Sequence, residues 1–177
     1  MPQTNRNIEA YYFTSLKTRF GWIRPISDGR SLIQLDWNQY GWNDSDRPDN
    51  VSRETASQLR AFFTGKLRKF NLPLAPAGKS KAGKHWLDVM TTIPFGTVIN
   101  YGEFAALTGN PKAARAAGLA CAKNPIPIIY PCHRIVRADG SLGNYSAGSN
   151  RHPTHPDNLA RKANLLMLEA NSAINSS

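Results

Sequence analysis

The chain has 177 residues, 41% hydrophobic and 19% charged, which is enough for one large domain or two small ones with a real core and excludes a disordered polyelectrolyte. Its formal charge of +10 points to a polyanionic partner, either nucleic acid or an acidic membrane surface. The sequence holds no run of about 18 apolar residues, which excludes a transmembrane helix, and its 2 cysteines, Cys121 and Cys132, are too few for a disulfide framework.

In chain order, the polar start from Met1 to Arg6 leads into no apolar signal core, so a reducing, cytoplasmic compartment is expected, on the nucleoid in a bacterium. Tyr11 to Trp42 reads as strands, with aromatic and β-branched residues broken by turns such as Ser27-Asp28-Gly29. Asp44 to Val51 is a polar loop. Ser52 is placed to cap a helix running to about Thr64, with Ala56, Leu59, Phe62 and Phe63 on one face and Gly65 as its stop. Leu72 to Gly83 is rich in Pro, Ala, Gly and Lys and reads as a linker. The expected division is therefore an α/β N-terminal domain over 1–76 and a mostly helical C-terminal domain over 77–177.

In the second half, Lys84 to Ile93 reads as a helix stopped by Pro94-Phe95-Gly96. Two short helices follow. Asn100 caps the first, with Glu103 three residues on in the capping-box position. Asn110 caps the second, and Pro111 occupies its first turn. This pair, with a turn over Thr108 to Asn110, is a helix-turn-helix, winged-helix-like layout. The second helix, Pro111 to Lys123, is rich in alanine. Small residues such as Ala113 and Ala114 suit close approach to a narrow groove, with Lys112, Arg115 and Lys123 meeting phosphate or base.

Asn124 to Val136 is an apolar, β-branched run interrupted by Pro131-Cys132-His133-Arg134. A cysteine beside two potentially cationic residues is a setting that lowers a thiol pKa and yields a nucleophile. Cys121, on the alanine-rich helix, reads as a small buried hydrophobe. If 132 and 133 are extended, their side chains diverge, and proton transfer between them needs a bridging water and a group that orients the imidazole. Glu169, at what reads as the end of the last helix, is the acid available for that. A Cys–His hydrolase is the rival reading, and it would turn over repeatedly.

Pro131-Cys132-His133-Arg134, together with Gly109-Asn110-Pro111-Lys112-Ala113-Ala114-Arg115-Ala116 and Gly143-Asn144-Tyr145-Ser146, resembles the O6-alkylguanine-DNA alkyltransferase family. The resemblance runs from about Phe70 to Val136, through Ser146 and over Lys162 to Glu169. It implies a single-turnover, cofactor-free repair protein acting on double-stranded DNA as a monomer, with Cys132 as alkyl acceptor, His133 as a base acting through water and Glu169 as its orienting acid. It also implies that Asn124 holds the turns of the site and that Tyr101 helps flip the nucleotide and donates to the leaving guanine. Arg115 would fill the gap in the base stack, with Lys112, Ala113, Ala114 and Lys123 on DNA. Tyr145, Ser146, Ile135, Pro127 and Lys162 would line the base pocket. Some relatives bind zinc in the first domain, but no cysteine precedes Cys121 here and no histidine precedes His85, so no metal is expected. The stretch from Asn150 to Pro156 is longer than in compact members, and Ala147 stands where some members carry glycine.

Overall fold

The computed structural model describes residues 11–146 and 148–174. The expectations placed on Met1 to Arg6 and on Ala147 lie outside the described residues.

The first half is an antiparallel sheet with one helix against it. Strands β1 (Tyr12–Phe13) and β2 (Leu16–Thr18) both pair with one edge of β3 (Gly21–Ser27), and β4 (Leu32–Asn38) pairs with the other. Leu16 stands opposite Ile23, and Ile23 opposite Trp37, so these side chains share one face. Against the sheet packs α1 (Asn50–Phe63), through Leu59 and Phe62, both fully buried. Its cap is Asp49 rather than Ser52. Asp49 accepts from the Ser52 amide (2.8 Å) and from Ser27 Oγ (2.8 Å) on β3, while Ser52 closes the reciprocal half of a capping box.

The expected linker is partly structured. The Leu32 amide donates to Pro73 O (2.8 Å), and the amides of Ala75 and Ala77 donate to Leu32 O and Ile33 O (2.9 Å each). Pro73 fits there because only its carbonyl is used. This segment covers a stretch of the β4 edge that would otherwise stay open.

The second half begins with α2 (Lys81–Met90), three residues earlier than expected, because Ser80 Oγ accepts from the Gly83 amide (3.1 Å). Strand β5 (Ile99–Asn100) runs parallel to β6 (Ile135–Val136). Helix α3 (Tyr101–Leu107) opens on the expected Asn100/Glu103 capping box. Helix α4 (Ala114–Ala122) starts later than expected. The Asn110 side chain donates to Thr108 O (3.3 Å), and its carbonyl accepts from the Ala113 amide (2.9 Å), so residues 110–113 form a turn instead of the first turn of the helix. Ala117 and Cys121 face the core from α4. Helix α5 (Pro156–Ile174) continues past Glu169, which is therefore an interior helical residue and not a C-terminal one as expected. One apolar cluster joins the two halves, from Leu16 and Leu35 to Ile126, Ile135 and Leu165. No described helix is long and apolar enough to cross a membrane.

Candidate active site

Cys132 opens a single 3-10 turn, Cys132–Arg134, leading into β6. The turn closes through Cys132 N to Tyr130 O (2.8 Å) and Arg134 N to Pro131 O (3.0 Å). Residues 132 and 133 are therefore not extended, and the strand-like divergence of their side chains does not arise. The preceding loop is wound around Asn124. Its Nδ2 donates to Tyr130 O (2.8 Å) and to Cys132 Sγ (3.2 Å), and its Oδ1 accepts from the Ile126 amide (3.0 Å). Within this loop the β-branched Ile128 holds a φ of +74°, a costly conformation maintained by its surroundings.

His133 and Arg134 both point to α5. His133 Nε2 lies 2.7 Å from Glu169 Oε1. Arg134 forks onto the same carboxylate, with Nε 3.0 Å from Oε2 and Nη2 2.8 Å from Oε1, and its Nη1 donates to Ile93 O (2.7 Å). The Gly96 amide adds a fourth donor to Glu169 at 2.9 Å. Burial alone would raise the Glu169 pKa. The His133 hydrogen bond and the Arg134 fork outweigh it and hold the carboxyl at about 2. An ionised carboxylate only accepts, so His133 donates from Nε2 and leaves Nδ1 as an acceptor. Nδ1 has no hydrogen-bond partner among the described residues.

This geometry corrects the electrostatic expectation for Cys132. The guanidinium of Arg134 is spent on Glu169, and burial pushes the His133 pKa below its usual 6.5, so neither neighbour places a cation on the sulfur at rest. Burial raises the Cys132 thiol above 9.0 despite the Asn124 hydrogen bond and the Lys162 charge, which both pull it down. Cys132 is 2% exposed, and its resting state at neutral pH is a thiol beside a neutral imidazole.

The residues expected to line a base pocket divide into two groups. Ile135 and Tyr145 are core residues, at 0% and 1% exposure. Pro127 is buried, while Ser146 is half-buried. The Tyr145 hydroxyl lacks a partner among the described residues. Lys162 is fully buried on α5, and its Nζ donates to Ile135 O (2.6 Å), Leu142 O (2.5 Å) and Asn144 O (3.2 Å). It fastens β6 to the 142–144 loop from within, and burial lowers its pKa.

On the outer side lies a concavity of about 510 Å³ between α4 and the 143–144 loop, lined by Tyr101, Arg115, Gly118, Leu119, Arg137 and Asn144 among others. Tyr101 links it to the interior. Its hydroxyl accepts from the Asn144 amide (3.3 Å), its ring lies 5.7 Å from Lys162 Nζ, and its pKa rises to about 12, chiefly through burial, with added repulsion from Cys121 and Cys132 when these are ionised. Gly143 makes this fit possible, because a Cβ there would lie 2.8 Å from the Tyr101 hydroxyl. Ala114 shares the wall with Arg115, which is exposed. Lys112 lies exposed in the turn before α4, Ala113 is half-buried at its cap, and Lys123 is exposed at its end. Sequence reasoning missed Arg137 and Gly118 as walls of the concavity; Arg137, three residues before the Gly140 turn, carried only a turn signal.

Fold and site together define a mixed α/β protein with a buried Cys–His–Glu cluster and a concavity walled by Arg115 and Arg137 between α4 and the 143–144 loop. The sequence profile of the family described as 6-O-methylguanine DNA methyltransferase, DNA binding domain, matches residues 83–171. The chain is 47% identical over 96 residues to the methylated-DNA–protein-cysteine methyltransferase of Methanosarcina acetivorans, covering 54% of this chain and 61% of that protein, so the match spans less than two thirds of that relative's length. It is 42% identical over 118 residues to the protein of that name from Mycobacterium leprae, covering 66% and 68%. Among solved structures it is similar to Mycobacterium tuberculosis O6-methylguanine methyltransferase, with a TM-score of 0.75, 30% identity and coverage of 92% and 94% of the two chains. It is also similar to Mycobacterium tuberculosis OGT in complex with DNA, with a TM-score of 0.73, 31% identity and coverage of 90% and 93%. The chain belongs to the 6-O-methylguanine DNA methyltransferase family.

Proposed function

We propose that this protein reverses O6-alkylation of guanine in double-stranded DNA by moving the alkyl group onto Cys132, once per molecule. The observation that carries the reading is the ordered chain from sulfur to acid. Asn124 fixes Cys132 Sγ, the next residue presents an imidazole with a free Nδ1, and Glu169 holds the opposite nitrogen. The family match and the DNA complex of a similar protein support DNA as partner.

In the proposed reaction, α3 and α4 act as a helix-turn-helix, and α4 meets the minor groove with its small residues. Lys112, Lys123 and Arg137 contact phosphate, and Arg115 fills the stack from which the alkylated base is extruded, a step costing a few kcal/mol. The base passes Tyr101 and is lined by Tyr145, Ser146, Pro127 and Ile135, with Lys162 bracing the loop behind. The Cys132 thiol gives its proton through a water to His133 Nδ1, and Glu169 stabilises the imidazolium. The sulfur attacks the alkyl carbon, an S–C bond forms, and the C–O6 bond breaks with its electron pair leaving on guanine. Tyr101 donates a hydrogen bond to the departing base, which recovers its N1 proton from solvent. The thioether is stable, so the site is spent; the reaction needs no cofactor or metal. We place the division of the chain at 1–76 and 77–177, and we assign the protein to the cytoplasm as a monomer.

The test is stoichiometry. Incubation with excess duplex containing O6-methylguanine transfers one methyl per chain, found on the Cys132 peptide. Repeated release of product would overturn the reading in favour of a hydrolase. Cys132→Ala abolishes transfer and keeps DNA binding.

A further inference from the structure

A second cavity of about 460 Å³ lies between β4, residues 148–151 and α5. Its walls come from β4 (Asp36, Trp37), from the 148–151 stretch (Ser149, Arg151) and from α5 (Arg161). The reaction proposed above uses none of these side chains.

Arg161 is the unusual member. It is 6% exposed, yet its guanidinium makes one hydrogen bond among the described residues, Nη1 to Asn158 Oδ1 at 3.3 Å. It forms no ion pair with a carboxylate there. A guanidinium carries five N–H donors, and the Arg161 nitrogens that make no hydrogen bond keep contact with solvent. Arg161 lies over an aromatic face: its Cζ is 5.1 Å from the centre of the Trp37 ring. Two acids lie nearby: Asp157, whose charge favours the cationic form of Arg161, pairs with Arg151, and Asp36, in the cavity wall, accepts from Gln34 Nε2 at 2.5 Å. The remaining N–H groups of Arg161 therefore face a polar cavity with Arg151 on its rim and no carboxylate partner of their own.

We propose that this cavity is an oxyanion site that binds a phosphate group on the Arg161 guanidinium, with Arg151, paired to Asp157, on its rim. The fork of N–H donors matches phosphate oxygens. The phosphate can belong to a free small molecule or to a DNA backbone, and the chemistry is shared. Occupancy is felt at Gly148 and Ser149, which line the cavity. Gly148 O accepts from the Trp37 amide (3.3 Å), and Ser149 Oγ donates to Asn158 Oδ1 (2.9 Å), the same oxygen that Arg161 uses. A phosphate that draws Arg161 away from Asn158 changes the support of Ser149.

The test is an NMR titration of the full chain with inorganic phosphate at constant ionic strength, with sodium chloride as the control. Saturable shifts at the Trp37 indole and at the amides of 148–151, larger than those on α4, support the site. Shifts that never saturate, or that gather on α4, overturn it. Arg161→Gln weakens phosphate binding by about tenfold or more, and Arg161→Lys, which keeps the charge but not the fork, weakens it less. Unchanged binding in Arg161→Gln overturns the proposal. If either variant fails to fold, Arg151→Gln, on the exposed rim, is expected to weaken binding by a smaller factor, and the wild-type titration still decides. A second arm adds undamaged duplex. Displacement of phosphate from the Trp37 signals identifies a DNA phosphate as the source, and persistence of the phosphate shifts on DNA-bound protein identifies a free oxyanion; absence of any Trp37 response to either ligand overturns the site.

Discussion

His133 Nε2 lies 2.7 Å from Glu169 Oε1, although the two residues are 36 positions apart, and both side chains are sealed from solvent. The same carboxylate is forked by Arg134, so a single acid orients the proposed base and neutralises its neighbour. Glu169→Gln is therefore expected to damage two properties together. It leaves Arg134 buried without its counter-charge, at a cost of about 3–5 kcal/mol. It also replaces the anionic acceptor on His133 Nε2 with a neutral amide that no longer stabilises the imidazolium, and single-turnover transfer falls by about 10²-fold or more. Urea denaturation and quenched-flow transfer read the two effects separately.

The direction of the pKa shifts sets how stability varies with pH. His133 is lowered from 6.5 in the folded state, so acid favours the unfolded chain, which takes up that proton first, and stability declines as pH falls below about 6.5. Glu169, held at about 2 against an ordinary 4.5, contributes stability that is complete above 4.5 and lost as pH falls toward 2. Cys132 is raised above 9.0, so its contribution is lost as pH climbs past 9.0, where the unfolded thiol ionises. Denaturation midpoints measured across pH should form a plateau between about 6.5 and 9. A midpoint that rises on acidification below 6.5 would contradict the buried, neutral imidazole.

Reactivity should follow the same logic. In the free protein Cys132 resists iodoacetamide at pH 7, because it is both enclosed and protonated, and its labelling accelerates only above pH 9.0. In the proposed reaction the proton leaves through His133 once the substrate is in place, so transfer from alkylated DNA should already be fast at pH 7. Labelling at pH 7 as fast as that of a free low-pKa thiol would show that the sulfur rests as thiolate.

Two glycines facing the outer concavity should differ in the sign of their effect on stability while both lower transfer. In Gly143→Ala the new Cβ meets the Tyr101 hydroxyl at 2.8 Å and its ring at 2.9 Å, on a backbone with φ +76°. Tyr101 must shift, and both stability and transfer fall. In Gly118→Ala no atom lies within 4 Å of the new Cβ. The α4 helix gains about 0.5–1 kcal/mol, while transfer drops because the added methyl occupies the concavity. Thermal melts paired with transfer assays separate these outcomes.

Arg115 is exposed on the first turn of α4 and lines the same concavity. Arg115→Ala is expected to weaken base extrusion more than initial association with DNA. Fluorescence of a base analogue placed opposite the lesion reports the first, and anisotropy reports the second. An equal loss in both would reduce Arg115 to an ordinary phosphate contact.

Features written in neighbouring residues are legible in the amino-acid sequence alone. The Asn100/Glu103 box is one, since both partners lie within a single turn. The strands of Tyr11 to Trp42 and the position of Cys132 before His133 are others. What escapes depends on distant partners. Asp49 and Ser52 are both good caps, and Ser27 on β3 favours the acid by donating to it. Asn110 has the right chemistry for a cap, but Thr108 occupies its side chain. Pro131-Cys132-His133-Arg134 lies in a β-branched run that mimics a strand, yet the carbonyls of Tyr130 and Pro131 close it into a turn. Arg134 has the charge to serve the sulfur, and only the path of α5 reveals that Glu169 takes it. The pairing of Glu169 with His133 is legible through family resemblance, because no local spacing connects them.

The stretch around Pro73 to Ala77 has a mechanical meaning. Its carbonyl and amides dock on Leu32 and Ile33, while Leu35 N bonds Pro125 O (2.9 Å) just ahead of the reactive loop. One strand of the first half thus grips both the tether and the second half, which leaves no free joint for independent swinging. A protease that nicked the tether would release neither piece, and heat should melt the molecule as a single cooperative body.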